Sequence, residues 1–149
     1  GDSLAQGLTN PMKRFAAQDR QVTFDGHGVP STRIADWASK PWLAQDLARE
    51  RPTLVLFSLG TNDMRMTDPT TEQAQLAKIV AMVDAAGAEL VWIAPPTMPF
   101  PDRGVRAMLA ATGRAMYPSQ TLAIPRAPDK IHPTMLGYSS WAGAIWTWL

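Results

Sequence analysis

Ser3, His132, Asp129 and Asn62 are residue types that together suit one kind of chemistry. A serine hydroxyl is a weak nucleophile until a neighbouring base takes its proton. That base must be held in one tautomer by a third group, and the oxyanion that forms needs fixed donors. Asp129 precedes His132 by three residues, so a single turn brings the carboxylate to one imidazole nitrogen and leaves the other to face Ser3. Asn62, within Gly60-Thr61-Asn62-Asp63, supplies a side-chain amide donor. This set serves acyl transfer. Ser3 also has a second reading, because an Asp-Ser pair ahead of Leu4 and Leu8 is an ordinary helix start with Ser3 as its cap.

Strand-like and helix-like segments alternate along the chain, the pattern of an α/β fold with a mostly parallel sheet. Gln21–Phe24 is a short strand candidate, Thr53–Leu59 is an apolar run of the kind buried on both faces, and Glu89–Ala94 is a third strand. Thr70 and Gln73 form a capping box ahead of Leu76, Ile79, Val80 and Val83, and Gly87 stops that helix. A further helix is expected from Asn10 with Pro11 in its first turn, another from Asp102 to Gly113, and a last one after Pro133. In the last, Tyr138, Trp141, Ile145 and Trp148 form a stripe at helical spacing, which reads as core. Trp37 and Trp42 lie outside that stripe and are better placed for ligand contact, with core or rim packing as the alternative. Ligands of open α/β sheets bind beyond the carboxyl ends of the strands. Ser3, the stretch Asp25–Thr32, Gly60–Asp63 and Asp129–Pro133 are the polar segments to be gathered there.

Composition limits the other possibilities. The 149 residues fit one domain, and with no cysteine there is no disulfide, thiol nucleophile or zinc-cysteine site. A net charge of +1, without a basic run, argues against nucleic acid as a partner. No apolar run is long enough to span a membrane, and the residues after Gly1 lack a signal-peptide pattern. The expectation is a soluble domain, bacterial and cytoplasmic, or exported after loss of a leader; its oligomeric state is left open.

Gly1-Asp2-Ser3, Gly60-Thr61-Asn62-Asp63 and Asp129-Lys130-Ile131-His132-Pro133, in this order, resemble the sequence blocks of the SGNH, or GDSL, hydrolases, over essentially the whole chain. The resemblance implies a single catalytic domain, residues 1–149, folded as a three-layer α/β/α sandwich with a flavodoxin-like central sheet. It also implies a central strand between Gln21–Phe24 and Thr53–Leu59, and hence an apolar strand before Gly1 or another segment in its place. By the same analogy Ser3 is the nucleophile, His132 the general base and Asp129 its orienter. Asn62 and the backbone amides of Ser3 and Ser31 form the oxyanion hole. Ser31 stands where the family usually has glycine, three residues after Gly28. Gly28, Arg65 and Met66 are candidate substrate-binding residues, whereas Asp2 and Asp63 hold loop amides and His27 is a loop or rim histidine rather than a metal ligand.

The implied reaction needs no cofactor or metal: a small-molecule or glycan ester is cleaved through an acyl-enzyme. The short stretch between Pro96 and Asp129 leaves little material for a lid, which suits short acyl groups such as acetyl esters of sugars. Two alternatives use the same fold, an O-acyltransferase and a non-catalytic glycan-binding module.

Overall fold

The computed structural model describes residues 1–19, 21–65 and 69–149, with the backbone alone at residues 69 and 70. Three parallel strands, β1 (Leu54–Ser58), β2 (Glu89–Ile93) and β3 (Ala115–Tyr117), lie side by side in chain order. Leu54 is opposite Glu89, and Val91 is opposite Ala115. Side chains alternate between the faces of a strand, so β2 feeds two cores. Leu90 and Trp92 pack with Phe57 against α2 (Ile34–Ser39), α3 (Trp42–Glu50), α4 (Pro69–Ala85) and α5 (Val105–Ala111). Val91 and Ile93 pack against α1 (Ser3–Ala16) and α6 (Met135–Trp148). Helices on both faces of a parallel sheet give the expected three layers.

The first helix starts at Ser3, the helix start that the Asp-Ser pair offered, though not with Ser3 as its cap. No separate helix begins at Asn10, and Pro11 lies in the interior of α1. Asp2 is the cap, accepting the Leu4 N–H at 2.9 Å. An interior proline removes a backbone hydrogen bond and can cost about 3 kcal/mol. Here Leu4, Leu8, Pro11 and Met12 form one buried stripe, and packing of that stripe outweighs the loss. The α4 backbone begins at Pro69, a residue suited to the first helical position; the Thr70 side chain of the expected capping box lies outside the described residues. Asp102 does act at the start of α5, where its Oδ1 accepts the Arg106 N–H at 3.2 Å.

Gln21–Phe24 forms no strand. An extended segment becomes a strand only with a ladder partner, and a groove of about 380 Å³ runs between Thr23–His27 and the free edge of β1. Ala5 and Leu8 of α1 line its other side. At the end of this groove Asp2 N–H donates to Ser58 O at 3.2 Å, and Gly1 O accepts from Val29 N–H at 2.9 Å. The start of the chain is thus fixed between the end of β1 and the segment around Val29.

The aromatic stripe of α6 is core only in part. Trp141 is fully buried and donates from Nε1 to Ser119 Oγ at 3.0 Å, but Trp148 is 44% exposed. Its ring reaches back edge-on to Tyr117, at 5.6 Å between centroids, from the last turn of the helix. We therefore expect Trp141→Ala to lower stability by about 3–5 kcal/mol. Trp148→Ala should cost less than about 1 kcal/mol, and the two denaturant midpoints measured side by side check the contrast.

Candidate active site

Ser3 is the first residue of α1 and follows Asp2, whose N–H donates to Ser58 O at the end of β1. The capping role falls to Asp2, which leaves the serine hydroxyl available. His132 Nε2 lies 3.1 Å from Ser3 Oγ, and His132 Nδ1 lies 2.7 Å from Asp129 Oδ2. The structure brings together three of the residue types singled out from the sequence. An imidazole that spans a hydroxyl and a carboxylate can take the hydroxyl proton while its other N–H stays oriented.

The Asp129–His132 geometry is local in origin. Asp129 Oδ1 accepts the backbone N–H groups of Ile131 and His132, each at 2.9 Å, so the carboxylate folds its own turn and presents its second oxygen to the ring. The His132 hydrogen bond and these two amides hold the Asp129 carboxyl down at about 2. It stays ionised throughout the neutral range.

Ser31 and Asn62 sit on adjoining segments. The Asn62 side-chain amide donates to Thr32 O at 2.8 Å, next to Ser31, and Asn62 stays half-buried rather than turning into the core. Ser31 has φ 64, a left-handed conformation. With Pro30 before it, this is the pattern of a type II turn, whose third position favours glycine. Serine there carries about 1–2 kcal/mol of strain, and the Thr32 hydroxyl, donating to Val29 O at 2.7 Å, helps hold the turn closed.

The remaining candidates have other surroundings. A Cβ on Gly28 would fall 2.4 Å from the Gln6 backbone nitrogen, so Gly28 is where this loop presses on α1. Arg65 is exposed, with its guanidinium 4.5 Å above the Phe100 ring and its carbonyl accepting from Arg103. Met66 lies outside the described residues. His27 pairs through Nδ1 with Asp46 Oδ2 of α3 at 2.6 Å, a partner no local spacing announced. Trp37 is core, donating to Thr32 Oγ1 at 3.0 Å, and half-buried Trp42 packs edge-on against it. Among the described residues no group of three or more His, Asp or Glu is placed to hold a metal ion.

Two buried carboxyl groups brace the site. Asp63 is fully buried and accepts the Ile34 N–H with both oxygens, at 3.2 and 3.3 Å, which ties the turn carrying Asn62 to the segment carrying Ser31. Burial, with Glu72 close by, pushes its carboxyl up to about 7. Burial likewise pushes Asp2 up to about 6, against the pull of the Leu4 amide.

The folded protein therefore binds the Asp63 proton more tightly than the unfolded chain does. The stability this contributes is complete below about pH 4 and is lost as pH rises through about 7. Asp2 acts with the same sign, so we expect a higher Tm at about pH 5 than at about pH 7.5, and Asp63→Asn should narrow the difference while leaving the share due to Asp2. We also expect Ser31→Gly to raise stability by about 1 kcal/mol, read from denaturant melts, by removing the left-handed strain.

The family model of GDSL-like lipases and acylhydrolases matches residues 1–139. Curated proteins give no match to the chain. Among solved structures, an acetyl xylan esterase, AlAXEase, superposes with a TM-score of 0.80 at 13% identity, covering 100% of this chain and 96% of that one. A lipolytic protein of the G-D-S-L family from Desulfitobacterium hafniense gives 0.78 at 15% identity, covering 100% and 96%. A carbohydrate acetylesterase family member from Sinorhizobium meliloti gives 0.75 at 14%, covering 97% and 92%. At these identities the superpositions speak to the fold, whereas the family match extends from Gly1-Asp2-Ser3 through Asp129 and His132. No described helix is long and apolar enough to cross a membrane. The chain belongs to the GDSL-like lipase/acylhydrolase family and is an esterase of it.

Proposed function

We propose that this esterase cleaves carboxylic esters of short acyl groups, O-acetyl esters of carbohydrates among them, through a covalent acyl-serine. The observation that carries the reading is the His132 imidazole, which spans Ser3 Oγ at 3.1 Å and Asp129 Oδ2 at 2.7 Å. Ser3 Oγ attacks the ester carbonyl as His132 Nε2 takes its proton. Asp129 stabilises the imidazolium. The tetrahedral oxyanion is held by the Ser3 and Ser31 amides and by the Asn62 side chain, whose second N–H is left over after its bond to Thr32 O. His132 returns the proton to the leaving alcohol. It then activates water, which releases the acid and restores Ser3.

The short-acyl preference rests on two features. Few residues separate Pro96 from Asp129, and Asp129 and His132 are themselves about half exposed, so the reacting groups sit on an open surface rather than in a tunnel. Two structural neighbours carry acetyl esterase names, which favours the same class of ester. Arg65, stacked on Phe100, is read as a residue bordering the acyl pocket.

Turnover of p-nitrophenyl acetate should exceed that of the butyrate and longer esters. Ser3→Ala and His132→Ala should each lower kcat by on the order of 10⁶, and Asp129→Ala by less. Asn62→Ala should lose about 10² to 10³ with a smaller change in KM, because the oxyanion exists only along the reaction path. A folded Ser3→Ala protein that kept more than a few per cent of wild-type turnover would overturn the nucleophile assignment.

A further inference from the structure

We propose that Arg126 is a positioning residue for the ester chemistry: its guanidinium ties the Asp129–His132 loop to the loop that follows β2 and so sets His132 against Ser3. One guanidinium nitrogen donates to Ile131 O at 2.5 Å, on the peptide that leads into His132, and another donates to Thr97 O at 2.9 Å. The backbone of Arg126 closes the same loop from below. Arg126 bridges Pro133, Ala127 N–H donates to His132 O at 2.8 Å, and Thr134 N–H donates to Pro125 O at 2.9 Å.

The loop needs such a tie because it has little else. Pro128, Asp129 and Lys130 are exposed, and Lys130 turns through a left-handed φ of 59, so no apolar side chain anchors its outer part. The Asp129 carboxylate orders the loop internally, but internal order leaves the loop free to move as a body. Through Ile131, the arginine fork connects it to Thr97, four residues beyond the end of β2, so the position of His132 is referred to the sheet that also positions Ser3. A planar fork can donate to two carbonyls at once, and a single ammonium on a flexible stem does so poorly.

The proposal rests on the reading of Ser3 and His132 as the reacting pair, so its test includes a readout that does not depend on turnover. Arg126→Ala should lower kcat on p-nitrophenyl acetate by about 100-fold with KM within about threefold, as expected when catalytic groups shift by about an ångström. Arg126→Lys should stay near the alanine level. Guanidinium ion added at millimolar, non-denaturing concentrations should restore part of the lost kcat. In proton NMR, the downfield signal of the His132 Nδ1 proton, bonded to Asp129, should be present in the wild-type protein and lost or shifted in Arg126→Ala. Retention of kcat within about threefold would overturn the proposal, as would a lost kcat beside an unchanged signal without guanidinium rescue. If Arg126→Ala does not fold, a folded Arg126→Lys decides: wild-type kcat overturns the proposal and a low kcat supports it. If the wild-type protein hydrolyses no ester, the proposed reaction fails, and the NMR signal alone judges Arg126.

Discussion

The Asp2 carboxylate is the point on which the rest of the site depends. It is 1% exposed, caps α1 through the Leu4 N–H, and belongs to a residue whose own N–H is bonded to the end of β1 at Ser58 O. A charged cap at a helix N-terminus gains from the aligned peptide dipoles, while burial works against the charge and pushes the carboxyl up to about 6. The balance is unfavourable for a group that merely ends a helix. It becomes intelligible because Ser3 is the next residue: fixing Asp2 on both sides fixes the serine hydroxyl at the mouth of the sheet. The same logic applies at Asp63, whose buried carboxyl crosses from the turn after β1 to the Ile34 amide.

Chemistry on loops needs this kind of support. Asp129 sits in an exposed segment, and Ser31 and Asn62 are polar residues between buried anchors such as Ile34 and Met64, so burial alone does not hold their side chains as it holds Trp92 or Trp141. Directed bonds take over that work. The carboxyl groups of Asp2, Asp63 and Asp129 and the guanidinium of Arg126 each bind backbone groups of a neighbouring segment or turn. Where the partner is charged, as at Asp129 and Arg126, such bonds are stronger than neutral ones, which helps alignment to a few tenths of an ångström.

The parts of the site that were legible in the sequence are those whose geometry is local. An Asp three residues before a His is within reach of it through one turn, and the distances follow that spacing. The parallel strands were legible in the apolar runs at β1 and β2, and α4 in its period. Other features depend on partners far along the chain. Gln21–Phe24 has the composition of a strand but no ladder partner, and Pro11 marks a helix start locally yet lies inside α1 because the buried stripe from Leu4 to Met12 overrides it. Trp148 continues the period of Trp141 but falls in the last turn of α6, 44% exposed, with Tyr117 its ring partner. Arg126 was not legible at all. Its carbonyl partners at Thr97 and Ile131 are backbone groups, which leave no mark on residue type.

Ser31 shows how the same fold can carry a residue that local propensity disfavours. A left-handed φ after proline calls for glycine, and serine there stores about 1–2 kcal/mol of strain. The turn does not relax because it is held from three directions. Thr32 Oγ1 closes it onto Val29 O, Trp37 Nε1 binds that same hydroxyl from the core, and the Asn62 amide binds Thr32 O. An N–H donor fixed by surrounding bonds points where it does irrespective of its own side chain, so the glycine usual at such a turn is replaceable once enough partners specify the backbone. Replacement costs stability rather than alignment, as with the buried carboxyls of Asp2 and Asp63. The strain at Ser31 and the desolvation at Asp2 and Asp63 are tolerated because the two cores on either face of the sheet supply the stability that offsets them.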